Sequence, residues 1–199
     1  MKRISLVIIF LFATTLIFCQ DIKFGGGINI LAHNKYLDYE YGLNLFLKYP
    51  FPALPFSIQG DIRFSISELS TKNKHLGGYS RTDFNFGIST HYYPFNWNIA
   101  PYIGLGAYYN INNISQSGMP SFLDNKAVTL KRVENNIASE IISGVKFSAH
   151  SPTNFYIELD YTFNKPEYIL VYIDNGEEAK KDKFNFNSLF LRLGLLFKL

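Results

Sequence analysis

Alternation of apolar and polar residues with a period of two is the feature that most restricts the fold of this chain. The clearest stretch is Phe56–Ser67, where apolar residues at even positions are separated by polar ones. Successive side chains of a strand point to opposite faces, whereas a helix would repeat every 3.6 residues. The same pattern recurs, with varying strength, in Lys23–His33, Tyr41–Tyr49, Thr82–Tyr93, Ile99–Ile111, Asn135–Ser148, Phe155–Asn164 and Leu189–Leu199. It predicts an all-β protein with eight antiparallel strands.

The composition agrees with a single β domain and excludes several classes of function. The 199 residues are 47% hydrophobic, 17% aromatic and 18% charged, whereas soluble domains carry about 25% charged residues. The aromatic content excludes a disordered chain. Residues 1–20 contain two of the 19 basic residues and none of the 16 acidic ones, so the remainder is almost neutral. A nucleic-acid partner would require a concentrated basic surface, and we expect none.

Residues 1–19 have the features of a secretory signal peptide. Lys2 and Arg3 precede the apolar run Ile4–Phe18, which is short for a membrane span of about 20 residues. Cys19 raises the alternative of lipid attachment, but the residue before a lipidated cysteine is normally small, and here it is Phe18. We predict cleavage between Cys19 and Gln20. The domain of residues 20–199 would then contain no cysteine.

The connections between the predicted strands alternate between short and long. Three carry the Pro and Asn residues of tight turns: Pro50–Pro55, Pro94–Asn98 and His150–Asn154. The four others are longer and richer in charge: Asn34–Glu40, Glu68–Tyr79, Asn112–Glu134 and Lys165–Lys183. Short periplasmic turns and long extracellular loops are typical of outer-membrane barrels. Val128–Leu130 and Tyr168–Ile173 would extend hairpins above the membrane, and ten strands remain an alternative.

The residues on the two strand faces favour a membrane barrel over a soluble, lipocalin-like one. The predicted apolar faces end in aromatic residues, as an interfacial girdle requires: Tyr41, Tyr49, Tyr92, Phe155, Phe163 and Phe197. The polar faces are mainly Gly, Ser, Asn and Thr rather than the Lys and Glu of a soluble surface. Small residues suit the narrow lumen of an eight-stranded barrel. The sequence therefore predicts an apolar face directed toward lipid.

Three segments resemble the porin-like outer membrane protein beta-barrel domain family. They are Phe18–Gln20, Ala100–Ala107 and the ending Leu193–Leu199. The resemblance covers nearly all of residues 20–199, although each motif is loose. It implies a small eight-stranded barrel inserted in the bacterial outer membrane and no single activity. Such chains usually end on an aromatic residue, whereas this one ends on Leu199, with Phe197 two residues earlier.

Ten charged residues fall on the predicted inward faces. Five are basic and five acidic: Lys48, Arg63, Arg81, Lys146 and Arg192, and Asp61, Asp83, Glu140, Glu158 and Asp160. An unpaired buried charge is costly, so we expect a structural network of ion pairs rather than a proton path or a binding site. Counting across the turns predicts the pairs Lys146–Glu158, Arg63–Asp83 and Arg192–Asp160.

Catalysis and metal binding find little support in the sequence. The four histidines are His33, His75, His91 and His150. His33 and His75 would lie at the extracellular end, where His33 could approach Ser65 and Ser67 near the outer rim. No motif accompanies them. Gly25–Gly27 lies inside a strand, so a phosphate loop is excluded and relief of crowding between the first and last strands is expected. We therefore expect no enzyme, cofactor or metal.

These observations predict a non-enzymatic, monomeric outer-membrane barrel with a packed lumen. Its partners would be outer-membrane lipid and, through loops 112–134 and 165–183, other envelope or extracellular proteins. The first alternative is a small porin-like channel for ions or small solutes. An enzyme acting on envelope lipids and a soluble lipid carrier rank below it.

Overall fold

The computed structural model describes residues 22–35, 37–52, 54–69, 79–95, 97–116, 121–123, 126–148 and 153–198. The predicted signal peptide 1–19 with Cys19, the histidines His75 and His150, and the last residue Leu199 lie outside these ranges. The described residues contain no helix long and apolar enough to span a membrane.

Eight antiparallel strands close into a barrel. They are β1 (Lys23–His33), β2 (Leu37–Pro50), β3 (Phe56–Leu69), β4 (Tyr79–Tyr92), β5 (Ile99–Gln116), β8 (Asn136–Ser148), β9 (Thr153–Phe163) and β12 (Ser188–Lys198). Each strand pairs with the next along the chain, and β1 closes on β12. The predicted eight-stranded barrel is confirmed, and the ten-stranded alternative is wrong.

A second sheet of four strands stands on the barrel. Its strands are β6 (Ser121–Leu123), β7 (Lys126–Val133), β10 (Glu167–Tyr172) and β11 (Glu178–Lys183), in the order β11-β10-β7-β6. We name it the loop-end sheet, and its end of the barrel the loop end. The opposite end, where residues 51–55, 93–98 and 149–152 connect strands, is the turn end.

One predicted long connection is short. Residues 34–36 alone join β1 to β2, so the expected loop Asn34–Glu40 is wrong. The backbone N–H of Leu37 donates to Asn34 Oδ1 at 3.0 Å, and the Asn34 amide donates to Ser188 Oγ at 2.7 Å. The Asn34 side chain thus bonds both the first residue of β2 and a residue of β12, as asparagine often does in tight turns.

The outer face of the barrel is apolar and the inner face polar, as predicted. On β2, Leu45 is 56% exposed whereas its neighbour Asn44 is 2% exposed. Exposed aromatic residues lie at both ends: Tyr39, Tyr41, Tyr161 and Phe163 at the loop end, and Phe56, Tyr92, Trp97, Phe155 and Phe197 at the turn end. A closed barrel pairs its backbone groups internally and can therefore present such a face to lipid.

Inward aromatic rings lie against glycines of neighbouring strands. A Cβ at Gly25 would collide with the Phe46 ring, one at Gly144 with Tyr102, and one at Gly87 with Tyr108. The missing side chains leave space for these rings, which is why a narrow lumen can hold large aromatic residues. Gly25, the first residue of Gly25–Gly27, thus leaves the space that the Phe46 ring occupies.

Candidate functional site

The centre of the lumen holds a layer of two arginines and four carboxylates. Arg63 Nη1 and Nη2 donate to Glu140 Oε1 and Oε2, both at 2.8 Å, and Arg63 Nε donates to Asp61 Oδ1 at 2.7 Å. The fork of the guanidinium matches the carboxylate, which makes this pair a strong one. We name Asp61, Arg63, Glu140, Glu158, Asp160 and Arg192 the central layer.

Arg192 is the second centre of this layer. Its Nη1 donates to Glu158 Oε2 at 2.8 Å and its Nε to Asn29 Oδ1 at 2.9 Å. Its Nη2 lies 2.7 Å from Asp160 Oδ2 and 3.4 Å from Glu140 Oε1. Glu140 thus contacts both arginines, and the layer spans the lumen as one unit.

Tyrosines donate hydrogen bonds to two of the four carboxylates. Tyr102 OH donates to Glu158 Oε1 at 2.6 Å, and Tyr108 OH donates to Asp61 Oδ2 at 3.1 Å. The guanidinium carbon of Arg63 lies 3.7 Å from the centre of the Tyr108 ring, a cation–π contact. Each tyrosine thus adds a neutral donor to a carboxylate that also binds an arginine.

A separate ion pair lies near the loop end. Arg81 binds Asp83 through Nη2 and through Nε, the latter at 2.7 Å. Its guanidinium carbon lies 4.3 Å from the Phe186 ring centre. Phe186 belongs to an apolar cluster between the barrel and the loop-end sheet, which we name the cap: Leu37, Leu69, Tyr79, Val128, Val133, Tyr168, Leu170, Phe184 and Phe186.

Little open space remains between the central layer and the cap. The cavity there measures about 50 Å³ and is lined by Arg63, Arg81, Tyr108, Phe186 and Arg192, among others. That volume is of the order of one or two waters. The described lumen is therefore filled at its centre and covered at the loop end.

Two of the three predicted pairings differ from the structure. Lys146 lies opposite Tyr156, and Glu158 lies opposite Gly144, so Lys146 does not meet Glu158. Asp83 lies opposite Ser65 and binds Arg81 rather than Arg63. The third pair is present, because Arg192 lies opposite Glu158 and reaches Asp160 diagonally.

The two lysines of the predicted set lie toward the turn end, and neither forms an ion pair with a carboxylate of the described residues. Lys48 Nζ is 5.3 Å from the Tyr93 ring centre and 5.0 Å from that of Tyr102. Lys146 Nζ is 5.3 Å from the Tyr93 ring centre. The five basic and five acidic inward residues are therefore equal in number but unevenly distributed. The central layer contains more acidic than basic residues, and the turn end of the lumen contains more basic ones.

The histidines do not form a catalytic arrangement in the described part of the chain. His33 is exposed, and Ser65 donates its hydroxyl to Glu40 Oε1 at 2.8 Å instead. Ser89 Oγ lies 3.5 Å from His91 Nε2, beyond the usual nucleophile–base distance of about 2.6–3.2 Å. Both are buried within the lumen. No group of three metal-ligating side chains occurs among the described residues.

The closed barrel, apolar outer face and polar filled lumen define the fold of small eight-stranded outer-membrane proteins. Among solved structures, the outer membrane protein OprG from Pseudomonas aeruginosa is 14% identical, with 90% of this chain and 96% of that chain covered and a TM-score of 0.65. Neisserial surface protein A is 13% identical, with coverages of 89% and 96% and a TM-score of 0.56. The outer membrane protein AlkL is 11% identical, with coverages of 90% and 91% and a TM-score of 0.53. No protein-family model and no curated sequence matches the chain.

Proposed function

We propose that this protein is a monomeric, non-enzymatic barrel of the bacterial outer membrane that does not conduct and that acts through its surface. Residues 1–19 would direct export, and residues 20–199 would form the mature barrel. The loop-end segments 112–134 and 165–183 would face the cell exterior and contact other envelope or extracellular proteins.

The closed lumen carries this proposal. Arg63 and Arg192 join carboxylates from three strands across the bore, and the cap covers the loop end. Aqueous channels occur in barrels of about twice as many strands. In the central layer both arginines pair with carboxylates, so charges of both signs lie together there rather than forming the single-sign ring that selects ions.

The loop-end sheet supports a role in surface contacts. It projects from the barrel, and its outer strand β11 is charged and largely exposed. Phe122 and Ile173 are exposed there, at 60% and 52%. Exposed apolar groups with a charged rim are features of interaction surfaces.

Recording of purified, refolded protein in planar lipid bilayers tests the absence of conduction. We expect no discrete current steps, while a sixteen-stranded porin under the same conditions supplies the positive control. Reproducible single-channel steps from the monomer would replace this proposal with the small porin-like channel.

Labelling of intact cells tests the orientation. An epitope inserted at Gly176, which has a φ of 72° in the turn between β10 and β11, should be reached by antibody on whole cells. The matched control is the same epitope at Leu54 in a turn-end connection, which should react only after permeabilisation. The reverse labelling would show that the loop-end sheet faces the periplasm.

A further inference from the structure

A cavity of about 440 Å³ lies at the turn end, on the opposite side of the central layer from the cap. Its basic wall consists of Lys23, Lys48 and Lys146, and Tyr93 and Ser57 also line it. The remaining wall is apolar and comes mainly from residues 50–52, residues 54–56 and Phe95. None of these groups takes part in the central layer.

Lys48 places a buried positive charge in the basic wall, and Lys146 lies half-buried beside the same ring. Lys48 is 6% exposed, yet among the described residues no carboxylate lies within ion-pair distance of Lys48 or Lys146. Both ammonium groups face the Tyr93 ring instead. Burial of an ammonium without a partner costs free energy, and a bound anion would offset that cost.

The pairing register concentrates this charge further. Lys23 lies directly opposite Lys48 on β2 and opposite Lys198 on β12. Like charges at opposed positions destabilise a sheet. The three turn-end connections 50–55, 93–98 and 149–154 contain no Asp or Glu. An anion held between Lys48 and Lys146 would reduce the repulsion between positive charges at this end of the lumen.

We propose that the turn-end cavity binds a phosphate group, held by Lys48 and Lys146. Lysines act as point charges toward phosphate and place several N–H donors around it. The buried Ser57 hydroxyl, which has no hydrogen-bond partner within the described residues, supplies another donor. The phosphate would come from free inorganic phosphate or from a phospholipid headgroup, whose glycerol and acyl parts would lie against the apolar wall.

Trp97 allows binding to be followed directly. It is the only tryptophan in the chain, and its ring stacks on Phe95 of the cavity wall, with centroids 4.3 Å apart and planes at 12°. The mature chain, refolded in dodecyl maltoside, is titrated with inorganic phosphate and separately with dihexanoyl phosphatidylglycerol. Potassium chloride and potassium acetate at equal ionic strength serve as controls.

We expect saturable changes in Trp97 fluorescence and a higher unfolding temperature with at least one of the two phosphate compounds. Saturation by inorganic phosphate identifies the free anion as sufficient, whereas saturation by the lipid alone identifies a headgroup. Lys48→Gln and Lys146→Gln should each weaken binding at least tenfold. Lys180→Gln removes the same charge from the loop-end sheet and should leave binding unchanged.

Two results would overturn the site. One is the absence of saturable binding of either phosphate compound beyond the effect of the salts. The other is unchanged affinity in both Lys48→Gln and Lys146→Gln, provided that their unfolding temperatures show a folded barrel. Neither result bears on conduction or surface contacts, so the proposal stands or falls separately from the proposed function.

Discussion

Arg63 and Glu140 form two parallel hydrogen bonds of 2.8 Å although they lie 77 residues apart on strands that are not neighbours in the barrel. Strands β3 and β8 are separated by β4 and β5 along the shorter way round the barrel. The pair therefore crosses the bore rather than following the sheet. It connects opposite walls and fixes the lumen from within.

Replacement of Glu140 by glutamine should destabilise the barrel strongly. Arg63 would lose a bidentate partner and Arg192 a weaker one, and breaking a buried pair costs about 3–5 kcal/mol. Urea unfolding in lipid vesicles, followed by Trp97 fluorescence, measures the change. Glu167→Gln, which breaks an exposed ion pair, is the control and should have a much smaller effect. Equal losses in the two variants would contradict a structural role for the central layer.

Any side chain at Gly87 should destabilise the barrel. A methyl group at this position would collide with the ring of Tyr108, which holds Asp61 and stacks on Arg63. We expect Gly87→Ala to cost about 1–3 kcal/mol by overpacking. Gly60 on the adjacent strand is the matched control, since a Cβ there meets its nearest atom only at 4.0 Å. Similar unfolding midpoints for Gly87→Ala and Gly60→Ala would argue against a packed lumen.

Spin labels should separate the lipid face from the lumen. Leu45 and Leu159 are 56% and 49% exposed on the outer face, whereas Asn44 and Ser65 are buried inside. Spin labels at the two leucines should be relaxed by oxygen dissolved in the bilayer. In a separate measurement, Leu45→Arg should lower the free energy of unfolding by about 2–4 kcal/mol, because it places a charge on the lipid face. Greater oxygen access at Asn44 and Ser65 would mean that the two faces are reversed.

Acid should loosen the β10–β11 hairpin. Lys181 Nζ lies 2.8 Å from Glu167 Oε2, and this hydrogen bond lowers the pKa of Glu167. A carboxyl whose folded-state pKa is depressed stabilises the fold above its ordinary pKa of about 4.3, and this contribution is lost as the pH falls through the folded value. Amide exchange in residues 167–183 should therefore accelerate in acid. In Glu167→Gln this acceleration should be reduced, and an unchanged profile would exclude Glu167 as its source.

The sequence was sufficient to predict the barrel and its faces because both depend on local alternation. In Phe56–Ser67, whether a position is odd or even is enough to predict whether its side chain points inward or outward. Eight such strands with an apolar outer face predict a closed barrel. The turn at residues 34–36 was missed, since the contact of Asn34 with Ser188 joins residues 154 positions apart.

The partners within the lumen could not be predicted in the same way. Counting residues across the turn at 149–152 predicts Lys146 opposite Glu158, whereas the structure places Lys146 opposite Tyr156, because the sequence does not show how many residues the turn itself takes up. The Arg63–Glu140 contact crosses the bore, and neither spacing nor alternation carries information on such contacts. The lysines at the turn end come from β1, β2, β8 and β12, so their proximity follows from the barrel topology and not from the sequence pattern.

The seam between β1 and β12 joins the beginning of the folded domain to its end, with Lys23 opposite Lys198. A chain whose synthesis stops before Ser188 would leave β1 and β9 with unpaired backbone edges. Because hydrocarbon offers no hydrogen bonds to such edges, a fragment of this kind has no stable place in a bilayer. The last strand, β12, is therefore the element that removes both free edges and completes the barrel.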